Sequence, residues 1–504
     1  MRYIRLPVAR PCIGRASATG NRARPSIVAL GVTTMLASAC VPDLGPRPQL
    51  ATPRSLASQQ SLAAPATAWP DDRWWRSYGD IQLDVLEEEA LAAGPDLRAA
   101  EARMRKAAAV AEVAGVATLP SVAANGSAGA VKDTIYQGFP KAYYPILPHG
   151  VHSQGQLTLS FAYDLDFFGR NRATLAAATS EAQAAAIDAA AARLHLSAAV
   201  ASTYADLLRL FKDRAAAADA LRVRRNTLRL VSERFDQGLA TRVERSQQAT
   251  TVPIAEGDLD AIERQILVNR HEIAALIGAG PDRGLSIVPP EEPTIRTFGL
   301  PARLPLDLIG RRPDIVAARL RSEAAGHRID SAKAGFYPDV NLMAAIGVSS
   351  FGISNLFARN ATIGSAGPAI SLPIFSGGRL RGTYRGARAD YEESIANYDG
   401  LLANALRDVA DILAGERSLH DQLEASERAL ALATDAYDGL KLRYSAGLTP
   451  YLDVLTAETT LINQRRSTTD LQAQFLTLDI NLVVALGGGF ADPGHANKKG
   501  SLDG

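Results

Sequence analysis

Two short segments, RFDQGLATRVE (234–244) and RYSAGLTPYLD (443–453), share one pattern: Arg and an aromatic residue, then Gly-Leu three positions after the aromatic. A long tract without Gly or Pro leads up to the first segment, and another follows the second. Glycine is typical of a turn between helices because it readily adopts the left-handed backbone conformation that ends many of them. The pattern therefore predicts two helical hairpins that turn at Gly238 and Gly447.

The same spacing relates other parts of the chain. The two Gly-Leu turns are 209 positions apart, and so are the Gly-Arg dipeptides at 169–170 and 378–379. Further upstream, the Pro-Asp dipeptide at 95–96 recurs at 313–314, which is 218 positions later, so the first copy has nine extra residues before 169. The chain is therefore predicted to be an internal tandem repeat.

Each copy is predicted to contain three helices in the same order. They are 81–117, 171–237 and 241–277 in the first copy, and 314–335, 380–446 and 451–486 in the second. At 1.5 Å per residue the longest would measure about 100 Å, which exceeds the diameter of a compact domain. Their Ala-rich composition favours close helix packing, so we expect a coiled coil. A structural rod without a pore is the alternative, although a rod does not need strands.

Strand-like segments lie between the first two helices of each copy. Segments 156–166 and 340–348 alternate apolar residues with small or polar ones, whereas 121–131 and 365–374 alternate less regularly. Segments of about ten residues with one apolar face are typical of transmembrane β-strands, which face lipid on one side and water on the other. A soluble sheet packed on helices is the alternative.

Lipid offers no partner to the open edge of a sheet, so membrane-spanning strands must form a closed ring. Four strands are too few, since the smallest such barrels have eight. Two chains would give an eight-stranded ring filled by its own side chains, whereas three would give a twelve-stranded ring wide enough to conduct. The predicted fold is therefore mixed: a membrane β-barrel shared by a trimer, with four strands from each chain, and a long α-helical coiled-coil barrel.

The N-terminal region has the layout of an export signal. A basic leader precedes an apolar run at 27–39, which is too short to span a bilayer. The run ends in Leu-Ala-Ser-Ala-Cys, which resembles a bacterial lipobox, so Cys40 is the predicted lipidation site; an ordinary cleavage site is the alternative. No later run of about 18 apolar residues follows, so no transmembrane helix is expected.

The predicted domain boundaries combine these features. They are a signal peptide at 1–39, a lipid-anchored Pro- and Ala-rich tether or extended wrap at 40–70, repeat 1 at 71–290 with its strand pair at about 120–166, repeat 2 at 291–489 with its strand pair at about 338–374, and a disordered tail at 490–504.

Composition excludes several classes of function. The 54 Lys and Arg nearly balance the 53 Asp and Glu, so no strong field exists to attract nucleic acid. The two cysteines, Cys12 and Cys40, both precede the folded region, which excludes a disulfide framework and a Cys-based metal site. Metalloprotease, phosphate-loop and nucleophile-elbow motifs are missing from the sequence, so neither an enzyme nor a cofactor is predicted.

Several motifs resemble the outer-membrane efflux protein family, in particular its lipoprotein branch (TolC/OprM-like, NodT-type) that serves RND-type tripartite pumps. They are YDLDFFGRNR (163–172), LPLDLIGRRPDIVAAR (304–319), SLPIFSGGRL (371–380), and the repeated RFDQGL and RYSAGL. The resemblance covers about 74–489. It implies a homotrimer in the outer membrane of a Gram-negative bacterium, with a large periplasmic part. It also implies a passive exit duct that conducts drugs or other small molecules from a periplasmic adaptor and an inner-membrane RND transporter. An exit duct for type I protein secretion is the alternative.

The resemblance also implies roles for individual residues. In the family the hairpin turns meet the adaptor, so the candidate contacts are Arg234, Gly238, Leu239, Arg443, Gly447 and Leu448; the alternative is that these residues only cap helices. Acidic residues near the start of the last helix often line the closed periplasmic end of the duct. Asp453 matches one such position, whereas Thr456, one turn later, is not acidic. A surface Asp without a role is the alternative for Asp453.

Overall fold

A computed structural model describes residues 41–52, 56–132, 150–291, 299–301 and 304–492, together with positions 134, 140, 142 and 145. The predicted signal peptide, Cys40 and residues 493–504 lie outside the described residues. Most of the loop between residues 132 and 150 also lies outside them.

Seven helices and four strands build the described part of the chain. The helices are α1 (Ile81–Ala93), α2 (Pro95–Val116), α3 (Arg170–Asp236), α4 (Arg242–Leu276), α5 (Pro313–Ala334), α6 (Arg379–Ser445) and α7 (Tyr451–Ala485). The strands are β1 (Ser121–Val131), β2 (His152–Asp164), β3 (Asp339–Phe351) and β4 (Thr362–Ser371). Short helical segments lie at Trp74–Tyr78, Pro281–Leu285, Leu304–Asp307, Leu308–Gly310 and Ile353–Asn355. The predicted order of elements is confirmed in both copies.

One predicted helix is wrong, because 81–117 folds as α1 and α2 with a break between them. The N–H of Gly94 donates to the carbonyl of Ala90 at 2.7 Å and closes α1. Pro95, which has no N–H, then begins α2, where the first helical position needs no donor. The break is tightly packed, since a Cβ on Gly94 would lie 2.6 Å from the Ala90 carbonyl oxygen.

The four strands form one antiparallel sheet in the order β1-β2-β3-β4, so that β2 pairs with β3 across the repeat boundary. Leu159 lies opposite Ile346, and their side chains are 49% and 61% exposed, so the apolar face of the sheet is uncovered. The opposite face carries mostly small or polar residues, and the Asn125 amide there donates to the Ser160 hydroxyl at 3.3 Å. The predicted alternation is confirmed.

Two long hairpins extend from the sheet, α3 with α4 and α6 with α7. Near the sheet, the helices adjoin in the order α2–α3–α5–α6, and α7 contacts α3 lower down. Two buried hydrogen bonds fix the N-terminal segment to these hairpins. The hydroxyl of Tyr78 donates to Asp479 on α7, and that of Tyr204 on α3 donates to Asp80, both at 2.6 Å.

The Pro-rich segment before residue 70 is an extended wrap that lies against the helices. Arg388 on α6 donates to the carbonyl oxygen of Pro46, and the hydroxyl of Tyr391 donates to that of Pro48 at 3.0 Å. The Ala51 N–H donates to Asp399 at 2.9 Å. The segment was predicted to be either a tether or an extended wrap, and its described residues form the extended wrap.

Residues 490–492, predicted to belong to a disordered tail, instead pack onto the fold. Gly487, Gly488 and Gly489 all have positive φ, which turns the chain back onto the fold after α7. Asp492 is then buried, and its carboxylate pairs with Arg319 at 2.7 Å. Local composition does not predict an ion pair with a residue that is distant in the sequence, so residues 490–492 were wrongly predicted to be disordered.

One described helix, α3, is long and apolar enough to pass for a membrane span by length and composition. No such helix was predicted from the sequence. A single helix of this kind is weak evidence for a span, because the packed helices of soluble regions pass the same test.

A buried acid on α1 makes the stability of the fold depend on pH. Glu87 is fully buried, and neither of its carboxylate oxygens has a hydrogen-bond partner. Burial, with a smaller contribution from Asp84, raises the pKa of Glu87 to about 9. Because the folded chain holds this proton more tightly than the unfolded chain, stability is lost as the pH rises towards 9.

We therefore expect Glu87→Gln to stabilise the fold increasingly as the pH rises from 5.5 to 8.5, by up to about 1.4 kcal/mol per pH unit. Thermal unfolding in detergent at both pH values measures the difference. Glu88→Gln is the control, because the Glu88 side chain is 55% exposed and should show no such trend. An equal effect of Glu87→Gln at both pH values would show that Glu87 does not hold a raised pKa.

Candidate functional site at the hairpin ends

The first hairpin turns in a Schellman motif. Gly238 has a φ of 75°, in the left-handed region. Its N–H donates to the carbonyl of Phe235 at 2.9 Å, and the N–H of Leu239 donates to that of Arg234 at 2.8 Å. These bonds satisfy carbonyl groups at the end of α3 that the helix itself leaves free.

The second hairpin repeats this turn. Gly447 has the same φ of 75°, its N–H donates to Tyr444 at 2.9 Å, and the N–H of Leu448 donates to Arg443 at 2.9 Å. The predicted glycine turns are therefore confirmed. Arg234 and Arg443 contribute their carbonyl groups to the motif, a role that any residue with a free carbonyl fulfils.

The return helices begin differently. At the first turn, Thr241 and Glu244 form a capping box, in which each side chain bonds to the backbone N–H of the other. At the second turn, α7 starts after Pro450, and Asp453 lies in its first turn. The Thr449 hydroxyl donates to the Asp453 carboxylate at 2.5 Å; Thr449 is half-buried and Asp453 is exposed. Asp453 is therefore at the hairpin end, as predicted.

Apolar side chains are uncovered at both turns. Leu239 is 65% exposed and Leu448 69%, and we call this pair the tip leucines. Val243 and Leu452, in the first turns of the return helices, are 65% and 68% exposed. Apolar groups gathered at the ends of long helices mark a surface suited to a protein partner.

The two arginines of the repeated turn differ in their side chains. The guanidinium of Arg234 lies over the Tyr444 ring, 5.1 Å from its centre, and so joins the first turn to the second hairpin. Among the described residues, Arg443 has no such aromatic partner. The sequence does not predict this difference, because it depends on how the hairpins are placed against each other.

A second connection between the hairpins involves a buried acid that sequence reasoning missed. Glu458 on α7 is 3% exposed, and its nearest counter-charge is Arg224 on α3, at 3.9 Å. Burial raises the pKa of Glu458, and Arg224 opposes the shift. An apolar cluster that includes Tyr437 and Leu461 packs nearby. An acidic residue on a helix usually faces water, so sequence alone gave no signal for Glu458.

The junction between sheet and helices is held by the motif at 163–172. Asp166, in the loop after β2, has a φ of 41° and accepts hydrogen bonds from the N–H groups of Asn171 at 3.0 Å and Arg172 at 2.9 Å. Arg170 bridges Asp164 at 3.3 Å and Asp339 at 2.9 Å, which ties the ends of β2 and β3 to α3. The sheet is thereby fixed rigidly on the long helices.

Comparisons with known proteins agree with this architecture. Residues 86–279 and 304–488 match the family model described as outer membrane efflux protein, one match for each repeat. The chain belongs to this family. The predicted family, fold class and efflux function are confirmed, and the protein is an outer-membrane efflux channel with a large periplasmic helical barrel.

Individual relatives add detail. The solved structure of the outer membrane protein VceC from Vibrio cholerae is 40% identical with a TM-score of 0.78, covering 84% of this chain and 100% of that one. The multidrug resistance outer membrane protein MdtP of Escherichia coli K12 is 28% identical over 92% of this chain and 95% of its own length. The fusaric acid resistance protein FusA of Burkholderia cepacia is 38% identical, but the match spans 64% of this chain and 60% of FusA.

The turn glycine offers a direct test of the hairpin end. We expect Gly238→Ala to destabilise the first turn by about 1 to 2 kcal/mol, because the strain of a Cβ at positive φ is not relieved. Nothing lies within 4 Å of the added Cβ, so the effect is purely conformational. Hydrogen exchange of the amides in segment 231–245 measures it.

Gly257→Ala is the matched control. Gly257 lies inside α4 and also has open space around it, so alanine there should stabilise the same hairpin by about 0.5 to 1 kcal/mol. Opposite signs for the two variants support the turn geometry, whereas the same sign for both contradicts it.

Proposed function

We propose that three copies of this chain close a twelve-stranded barrel above a continuous helical duct. The duct passively conducts drugs or other small molecules from a periplasmic adaptor and an inner-membrane RND transporter to the cell exterior. The observation that carries this proposal is the four-stranded sheet, which has one uncovered apolar face and, within the described chain, no second partner strand for β1 or β4.

The two outer strands determine the number of chains. Each presents a row of backbone N–H and C=O groups that lipid cannot satisfy. Pairing β4 of one chain with β1 of the next removes both edges, and three chains give a ring wide enough to conduct. Two of the relatives named above are resistance proteins, MdtP for multiple drugs and FusA for fusaric acid, which favours small-molecule efflux over protein secretion.

The wrap supports lipidation of Cys40. Gly45 and Pro46 lie against Arg388, which is nine residues below the start of α6 and thus about 14 Å below the sheet. The five steps along the chain from Cys40 to Gly45 span up to about 17 Å when extended. Acyl chains on Cys40 can therefore reach the inner leaflet of the outer membrane. The domain boundary at 39/40, with a cleaved leader before it, belongs to the same proposal.

The hairpin ends are proposed as the docking surface for the adaptor. The contacts would be made by the tip leucines, by Gly238 and Gly447, which allow close approach of backbone, and by the Arg443 side chain. Arg234 contributes less directly, since its guanidinium already packs on Tyr444.

Asp453 is proposed as the periplasmic gate. Its exposed carboxylate lies at the periplasmic end of α7, and three copies near the duct axis would repel one another and attract cations. Because Thr456 is not acidic, the gate has one charged layer. The proposal includes no catalysis, cofactor or nucleic-acid partner, and the described residues contain no group of acidic, His or Cys side chains suited to a metal ion.

The duct itself is tested by reconstituting the mature protein into planar bilayers and by drug accumulation in a deletion strain. Conductance by a detergent-solubilised trimer and raised accumulation of several compound classes are expected. A protein that stays soluble and monomeric without detergent would overturn the proposal.

Replacing the tip leucines tests the docking surface. We expect Leu239→Asp with Leu448→Asp to leave the trimer intact and to abolish cross-linking to the adaptor, because the apolar contact is lost. Gln237→Asp is the control, since it adds the same charge to the first turn and keeps both leucines. Cross-linking that survives in the double variant would show that the adaptor binds elsewhere.

Removing the gate carboxylate tests the role of Asp453. Asp453→Ala should change the conductance and weaken block by divalent cations in planar bilayers, because the cation-binding charge is gone. Asp435→Ala removes the same charge further from the turn and should change neither quantity. The gate proposal fails if the two variants behave alike.

A further inference from the structure

A recess of about 880 Å³ lies in the wall of helices directly beneath the sheet. All four helices of that wall, α2, α3, α5 and α6, contribute residues to its lining. Because both the first and the last helix of this row line the recess, the recess lies on the concave face of the row. In a ring of three chains, the concave faces surround the duct.

The recess is built from equivalent parts of the two repeats. Three of its residues on α3 recur on α6 at the offset of 209, with the same spacing and the same chemistry. They are Arg170, Thr174 and Glu181 on α3, and Arg379, Thr383 and Asp390 on α6. Each helix thus presents an arginine near the sheet and a carboxylate about three turns lower.

In the first repeat these charges are neutralised. Arg170 pairs with Asp339 at 2.9 Å, and Glu181 pairs with Arg328 on α5 at 3.3 Å. Both counter-charges also line the recess. A solute in this half of the recess meets charges that are already balanced by the protein.

In the second repeat the charges have no counter-charge among the described residues. At the offset of 218, the residues equivalent to Asp339 and Arg328 are Ser121 and Val110, which are uncharged. A neighbouring chain placed by the same repeat presents Ser121 and Val110 to α6, and neither residue can pair with these charges. Arg379 and Asp390 thus lack the counter-charges that Arg170 and Glu181 have in the first repeat.

We propose that Arg379 and Asp390 determine which charged solutes the upper duct favours, an inference that rests on the proposed trimeric duct. Three copies of Arg379 form a positive ring beneath the barrel that contacts anionic groups. Three copies of Asp390, eleven residues lower and thus about 16 Å away, form a negative ring that contacts cationic groups.

Thiol labelling in the trimer measures this local potential. Thr383 lies one turn from Arg379 on the same face, and the mature chain has no cysteine other than Cys40, so Thr383→Cys introduces a single reporter. The probes are an anionic and a cationic methanethiosulfonate, compared with the parent chain. Adding Arg379→Gln should slow the anionic reagent about threefold and speed the cationic one by a similar factor at low salt.

Arg381→Gln is the matched control. It removes the same charge two residues later, on the opposite face of α6 and outside the residues that line the recess, and should change neither rate. Asp390→Asn should change both rates in the opposite direction to Arg379→Gln.

Three results would overturn the inference: equal effects of Arg379→Gln and Arg381→Gln, no effect of either, or a Thr383→Cys trimer that reacts with neither reagent. A chain that forms no trimer and no conducting channel would instead overturn the proposed function on which the inference rests.

Discussion

The rest of the structure depends on the backbone hydrogen bonds of the outer strands. In water, the free edges of β1 and β4 would be solvated, but lipid against the exposed apolar face leaves their N–H and C=O groups without partners. Only a neighbouring copy can satisfy both edges. In the proposed trimer, closure of the barrel sets the number of chains and brings their long helices together as one duct.

The tandem repeat gives this closure a definite register. Ala128 of β1 pairs with Gly155 of β2. Their equivalents in the second repeat, 218 and 209 positions later, are Ile346 and Gly364, and these two residues pair between β3 and β4. Leu159 of β2 pairs with Ile346 of β3. The equivalent of Leu159 in the second repeat is Pro368 of β4, and the equivalent of Ile346 in the first repeat is Ala128 of β1. The repeat therefore predicts that Pro368 lies opposite Ala128 of the next chain. In the proposed ring, the contact between chains would repeat the contact between the two halves of one chain.

The sequence predicted the parts that are fixed locally. Glycine at positive φ specifies the turns at Gly238 and Gly447, and strict alternation specifies the faces of β2 and β3, so these elements agree with the structure within a few residues. It did not predict the burial of Glu458 or the contact of Arg234 with Tyr444. Both depend on the rotation of one hairpin against the other, which a helical repeat leaves undetermined.

Cross-linking between chains tests the shared barrel most directly. Cysteines at Ala366 of β4 and Ala130 of β1 lie opposite each other across two chains in the register derived above, and a nearly cysteine-free chain makes the result clear. We predict a covalent trimer from Ala366→Cys with Ala130→Cys, and none from Ala366→Cys with Ala124→Cys, which is six residues out of register. Cross-links confined to single chains, or a covalent dimer as the final product, would contradict a ring closed by three copies.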